Sequence, residues 1–299
     1  MKKKMLFVYN PRAGKGMIKP KLSDVIDVFV KAGYEVLIHP TQKAQDACER
    51  VKAYIDDVDV IACSGGDGTL DEVVTGMMAC GIELPVCYMP AGSTNDFANS
   101  LFIPRDIVQA ASLVTEGKLY GCDIGRFNDD NFVYIAAFGL FTDVAYETNQ
   151  DIKNVLGHVA YVLEGMKRLF DIKSYNMVIE CGEETYEGEY IFGMVTNSRS
   201  VGGFKHLTGK NVDMDDGLFE VTLIRRPRNP LELQEIVGSL LIAEDNTELI
   251  HSVKASKVAI RSEDEIPWTL DGEYGGSHSV VEIENLHRAL KIFLEKREK

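Results

Sequence analysis

Val58-Asp59-Val60-Ile61-Ala62-Cys63-Ser64-Gly65-Gly66-Asp67-Gly68-Thr69 is the stretch whose reading decides the fold. An apolar run ends in a glycine-rich string, and helix-period spacing follows from Leu70 to Met78, so the segment predicts a strand, a turn and a helix. Glycines let the backbone take positive φ and approach a ligand closely, while the free N–H groups and dipole at a helix start favour an anion such as phosphate. Asp67 is the odd member. Two like unit charges at 4 Å cost about 1 kcal/mol in water and about 4 kcal/mol at an effective dielectric of 20, so a carboxylate beside phosphates calls for a cation between them. Asp67 is therefore read as part of a metal–nucleotide site. Thr69 and Glu72 also match a T-x-x-E capping box, the alternative in which the string is only a well-capped helix start.

Working outward, apolar runs at Met5–Tyr9, Glu35–His39, Val58–Cys63 and Leu84–Tyr88 alternate with helix-period segments at Leu22–Ala32, Ala44–Ile55, Leu70–Ala79 and Asp106–Thr115. This alternation predicts a doubly wound, Rossmann-like α/β domain over residues 1–122. Ligands of such sheets bind beyond the carboxyl ends of the strands. Four unusual turns fall there: Asn10–Gly16, His39–Thr41, Ser64–Thr69 and Met89–Asp96. After Gly121 the pattern changes to strand-like runs at Asp123–Phe127, Phe132–Phe138, Tyr175–Cys181, Glu189–Val195, Leu218–Ile224, Val253–Arg261 and Val280–Ile283. Helical patterns interrupt them at Asn154–Phe170 and Pro230–Ala243. Residues 123–286 are expected to form an antiparallel β-sandwich domain. Ala289–Leu294 does not separate helix from strand, and the tail 287–299 can rejoin the first domain.

A length of 299 residues accommodates two such domains. The formal charge of −14 disfavours nucleic acid as a partner, since phosphate-backbone affinity needs clustered Lys and Arg. The six cysteines show no C-x-x-C or Cys/His pairing and are read as small core residues of a protein in a reducing cytosol. No stretch approaches a membrane span, so the expectation is a cytoplasmic protein. Contact with an anionic bilayer surface would need a local basic patch, for which Lys2, Lys3, Lys4, Lys15, Lys167 and Arg168 are candidates.

Asn10–Gly16 has the glycine and cation of a phosphate loop without being a Walker A sequence, because Gly16 stands where Ser or Thr would hold magnesium. The Gly66/Gly68 pair lacks the third glycine of a dinucleotide fingerprint, having Asp71 there. Taken together, Asn10-Pro11-Arg12-Ala13-Gly14, Gly65–Thr69 and Pro90–Phe97 resemble the diacylglycerol kinase catalytic-domain family, which includes sphingosine kinases and small bacterial lipid kinases. The likeness continues in order through Phe138-Gly139, Leu156–Tyr161, Asn197-Ser198, Asp213–Leu218 and Leu270-Asp271-Gly272-Glu273. One departure is Asp71 before Glu72, where the family usually has Asn.

The resemblance implies ATP-dependent phosphorylation of a lipid hydroxyl, with magnesium, at a nucleotide site between the two domains. It places Glu273 as the base that takes the hydroxyl proton, joined by Asp67 and Asp123 as further catalytic carboxylates. Around the nucleotide it places Asn10, Pro11, Arg12, Ala13, Gly14, Thr41, Gly65, Gly66, Asp67, Gly68, Thr69, Glu72, Gly92, Ser93, Thr94, Asn95 and Asp96. Asp213, Asp216 and the Leu218 carbonyl form a small hard-cation site in similar lipid kinases. The implied substrate is a membrane lipid, most simply diacylglycerol, met by transient contact with the bilayer from the cytoplasmic side. Phosphatidylglycerol or a sphingoid lipid, NAD, and a nucleotide-binding regulator without catalysis remain as alternatives, and a homodimer stays open. The segment Asn154–Leu163 reads equally as a core helix or as one side of an acyl-chain cleft.

Overall fold

Strands with continuous apolar runs build a parallel sheet at the centre of the first unit, residues 1–124 together with 286–299. Its elements are β1 (Lys3–Tyr9), α1 (Leu22–Lys31), β2 (Tyr34–Pro40), α2 (Asp46–Tyr54), β3 (Val60–Gly65), α3 (Asp67–Cys80), β4 (Val86–Pro90), α4 (Asp96–Leu101) and α5 (Ile107–Glu116). The computed structural model describes residues 3–140, 173–201, 212–242 and 247–296. Parallel pairing runs β4-β3-β1-β2. Every residue of β3 and β4 is buried, which is why those strands read as unbroken apolar runs rather than as an alternation. The chain leaves β1 toward β2 on one side and crosses back to β3 on the other, so the order reverses between β1 and β3. Such a reversal leaves an open crevice at the carboxyl ends of the two strands.

Two local readings change. The helix after the glycine string begins at Asp67 rather than at Leu70, because extended Gly66 already serves as its N-cap. No side chain caps that end, so the Thr69–Glu72 capping box does not form. The residues after Asn95 make a separate short helix, α4.

The second unit, Gly125–Asn285, is antiparallel. It holds the end of β5 (Lys118–Phe127), then β6 (Asp130–Phe132), β7 (Ile135–Gly139), β8 (Tyr175–Cys181), β9 (Glu184–Thr196), β10 (Phe219–Arg225), α6 (Pro230–Ile242), β11 (Ile250–Ala255), β12 (Lys257–Leu270) and most of β13 (Glu273–Leu294). The long strands β9 and β12 divide their pairing. One part of each binds β8 and another part binds β7, and the resulting layers enclose the core. Trp268, fully buried, packs at its centre with ring centroids 5.0 Å from Phe127 and 4.9 Å from Phe138. This is the expected antiparallel β-sandwich, as the first unit is the expected α/β fold. The expected helix Asn154–Phe170, with Lys167 and Arg168, lies outside the described residues.

The boundaries fall between Ile124 and Gly125 and between Asn285 and Leu286. Ala289–Leu294, ambiguous in sequence, is strand, and Ile292 pairs in parallel with Val86 of β4. Five cysteines are buried and Cys80 is exposed at the end of α3, so the all-core reading fails for that one residue. Burial pushes the Cys87 thiol up to about 12, which keeps it protonated and inert.

Truncating Phe138 to alanine removes one wall of the Trp268 pocket and is expected to cost about 3–5 kcal/mol. Denaturant unfolding followed by the emission of Trp268 measures it, and an unchanged midpoint would show that the aromatic cluster does not hold the second unit together.

Candidate active site

Three glycine-bearing loops meet at the carboxyl ends of β1, β3 and β4. Gly14 has φ of 54°, and a Cβ placed on it would lie 2.2 Å from the Ala91 carbonyl oxygen. A Cβ on Gly92 would lie 2.6 Å from the Gly66 Cα. Backbone therefore approaches backbone from all three loops, at distances no other residue permits. Hydrogen bonds hold the strands in register up to the loops: Asn10 N–H donates to the Ser64 carbonyl at 2.8 Å, and Ala91 N–H to the Gly65 carbonyl at 2.7 Å. Thr41 N–H donates to the Tyr9 carbonyl at 2.9 Å, which brings the loop after β2 to the same edge.

Several expected ligand side chains shape these loops. Asn10 Oδ1 accepts from Arg12 N–H at 2.9 Å, fixing the turn Asn10-Pro11-Arg12-Ala13-Gly14. Asn95, in the left-handed region at φ of 54°, closes its own loop: its Oδ1 accepts from Gly92 N–H and its Nδ2 donates to the Gly92 carbonyl, both at 2.8 Å. Ser93 at the loop tip is exposed and Thr94 half-buried, while Thr69 and Asp96 are buried.

The acidic residues of α3 reach sideways to neighbouring helices. Asp67 Oδ2 accepts from Asp96 N–H at 3.0 Å and its Oδ1 from Phe97 N–H at 3.4 Å, so this carboxylate caps α4. Glu72 accepts from Gln45 N–H at 2.9 Å and Ala47 N–H at 3.0 Å, capping α2. Beside it Asp46 Oδ2 accepts from Gln42 N–H at 2.7 Å and stands 3.1 Å from His39 Nε2. Burial alone would raise the Asp46 carboxyl, but the Gln42 hydrogen bond and the His39 contact outweigh it and hold the group below its ordinary value. Glu72 and Asp46 thus clamp the loop bearing Thr41 from both sides. Asp46 carried no motif, and only its place just after a strand-end loop could have marked it. Asp123 is fully buried in β5, where its Oδ1 accepts from Arg288 N–H at 2.7 Å and stands 3.0 Å from His287 Nδ1.

In the second unit Glu273 is exposed at the first position of β13, after the turn Asp271-Gly272. The acidic loop Asp213–Leu218 leads into β10. Asp216 Oδ1 accepts from Leu218 N–H at 3.0 Å, and Lys254 Nζ stands 3.0 Å from Asp216 Oδ2 and 3.1 Å from Glu220 Oε1. Burial pushes the Glu220 carboxyl up to about 7, and burial together with Asp215 and Asp216 raises Asp213. Burial is the main cause of both shifts, and Lys254 already offsets part of the charge of Asp216 and Glu220. The carboxylates of Asp213 and Asp216 and the Leu218 carbonyl are nonetheless hard oxygen donors of the kind magnesium takes. Among the described residues no three His, Cys, Asp or Glu side chains gather round a point. Such an ion would rest on Asp213, Asp216, the Leu218 carbonyl and water. Asn10–Gly14, Thr41, Gly65–Thr69, Glu72, Gly92–Asp96 and Asp123 belong to the first unit, and Asp213, Asp216, Leu218 and Glu273 to the second. Contacts join the loops after β1, β2, β3 and β4, while Asp123 contacts His287 and Arg288 instead.

Residues 4–127 match the diacylglycerol kinase catalytic domain, and residues 136–294 match the YegS C-terminal NAD kinase beta sandwich-like domain. A diacylglycerol kinase of Bacillus subtilis is 35% identical over 297 residues, covering 98% of this chain and 97% of its own. One from Staphylococcus saprophyticus is 33% identical over 279 residues, covering 92% and 90%. A crystal structure of a Bacillus anthracis protein, described as a candidate diacylglycerol kinase, superposes with a TM-score of 0.81 at 26% identity over 98% of this chain and 96% of that one.

Replacing Glu72 with alanine leaves the Gln45 and Ala47 amides without their acceptor, at an expected cost of about 1–3 kcal/mol. Amide hydrogen exchange should accelerate at those two positions and the unfolding midpoint should drop. Exchange at the wild-type rate would mean that α2 does not depend on this carboxylate.

Proposed function

The chain belongs to the diacylglycerol kinase catalytic-domain family and is a kinase, and from that premise we propose that it transfers the γ-phosphoryl group of ATP to the hydroxyl of diacylglycerol, giving phosphatidic acid. The approach of Gly14 to Ala91 and of Gly66 to Gly92 supports this reading most directly. It draws three glycine loops together at the carboxyl ends of parallel strands, where sheets of this kind bind phosphates.

The lipid hydroxyl oxygen forms a bond to the γ-phosphorus as the bond to the β,γ-bridging oxygen breaks, and ADP leaves. Glu273 takes the hydroxyl proton. Positioning and charge neutralisation supply most of the catalysis in such a transfer. The loops 10–14, 65–69 and 92–96 hold the phosphates, and Thr41 sits on the loop that Glu72 and Asp46 fix. Asp67 and Asp123 already accept backbone amides, so their proposed part is positioning and negative charge, with no ligand geometry asserted. Magnesium, when bound with ATP, neutralises phosphate charge, and a second ion on Asp213, Asp216 and the Leu218 carbonyl would brace the acidic loop.

Among the described residues no helix is long and apolar enough to cross a membrane. A transient surface contact through Lys3, Lys4 and Lys15 is the mode proposed for reaching the lipid from the cytoplasm, at about 1 kcal/mol per basic residue near the bilayer. Phosphatidylglycerol or a sphingoid lipid is the next substrate class in line, and NAD the least favoured.

Purified protein incubated with labelled ATP, magnesium and a panel of diacylglycerol, phosphatidylglycerol, monoacylglycerol, sphingoid base and NAD should label diacylglycerol foremost. Labelling of NAD alone would replace the lipid reading. Glu273→Gln should lower kcat by about 10²–10⁴ with little change in the KM for ATP, and near-normal turnover would remove Glu273 from the mechanism.

A further inference from the structure

The turn that presents Glu273 is held more firmly than a two-residue hairpin needs. Asp271 and Gly272 connect β12 to β13, with Leu270 paired to Glu273, and both have positive φ, 50° and 90°. That is the backbone of a type I′ turn, whose first position suits Asn, Asp or Gly. Turn propensity alone asks nothing further of the Asp271 side chain. Yet Asp271 is 7% exposed, and its carboxylate accepts three backbone N–H groups: Val133 at 2.5 Å, Tyr134 at 3.0 Å and Ile135 at 2.9 Å. Its own N–H donates to the Ile135 carbonyl at 2.9 Å. Val133 and Tyr134 make the short connection from β6 into β7 and Ile135 opens β7, which is itself paired to β12 through Ala136 and Leu270. The hairpin tip is therefore tied to an adjacent strand as well as to its own partner.

We propose that Asp271 is the positioning residue for Glu273, fixing the exposed proton acceptor through the backbone of the turn. This rests on the reading of Glu273 as the base. A carboxylate only accepts, so three converging N–H groups match it, whereas asparagine would turn two N–H donors toward them. An exposed glutamate at a hairpin end otherwise moves with the fraying of its turn. A displacement of about 1 Å in a reacting group can cost 10²-fold in rate. The carboxylate of Asp271 acts on turnover without touching ATP or the lipid.

The test compares Asp271→Asn, Glu273→Gln and the double variant in the full chain, with kcat normalised to ATP sites titrated by calorimetry, so that a misfolded fraction is not counted as slow enzyme. Asp271→Asn should lower kcat by about 10- to 100-fold and leave the KM for ATP within about twofold. Added to Glu273→Gln it should lower turnover no further, because residues that act through one group are not additive. Wild-type kcat in Asp271→Asn, or a loss that multiplies with that of Glu273→Gln, overturns the positioning role while leaving Glu273 as base. Full turnover in Glu273→Gln overturns the base and the inference together.

Discussion

Carboxylates accepting backbone amides hold the functional loops of this kinase. Where a strand ends or a helix begins, N–H groups leave their ladder, and a buried one without an acceptor costs about 1–3 kcal/mol. Asp67 serves α4, Glu72 serves α2, Asp46 serves the loop before it, Asp123 serves the closing residues of β13, and Asp271 serves the connection into β7. Each bond is charge-assisted, and all but the exposed one from Gln45 N–H to Glu72 are at least partly shielded from solvent, which makes them stronger than exposed counterparts. Through these contacts the glycine loops are tied to the helices beside them.

This arrangement divides labour within the motifs. In the string Gly65–Thr69 the glycines give access to the backbone, while the aspartate between them faces α4 and joins the loop after β3 to the loop after β4. Glu72, one turn later, does the same toward the loop after β2. A single helix start thus sets the spacing of three loops that leave three different strands. Substitution at either acid acts on the three loops by displacing their backbone.

Much of this was legible beforehand for plain physical reasons. Unbroken apolar runs gave the parallel strands because such strands are buried on both faces, and the strand-to-helix turn followed from glycines after β3. Partners of carboxylates were not legible. Asp67 reads as a ligand when only its neighbours in sequence are known, and its acceptor role appears once Asp96 lies beside it. Glu72 matched a capping box by spacing, but its nearest orphan amides belong to α2. The role of Asp271 is hidden in the sequence because the donors that surround it are more than a hundred residues away. The strand nature of Ala289–Leu294 likewise depends on an edge of β4 that periodicity cannot report.

That last strand bears on the order of events during synthesis. The ribosome releases β1 to α5 early, yet the outer edge of β4 stays bare and the Asp123 carboxylate lacks its Arg288 amide until the final stretch of β13 has left the exit tunnel. The sheet of the first unit is therefore sealed only after the sandwich has been translated. A chain stalled or clipped short of residue 286 would expose an apolar, hydrogen-bond-hungry sheet edge of the kind that chaperones shield and that otherwise seeds aggregation.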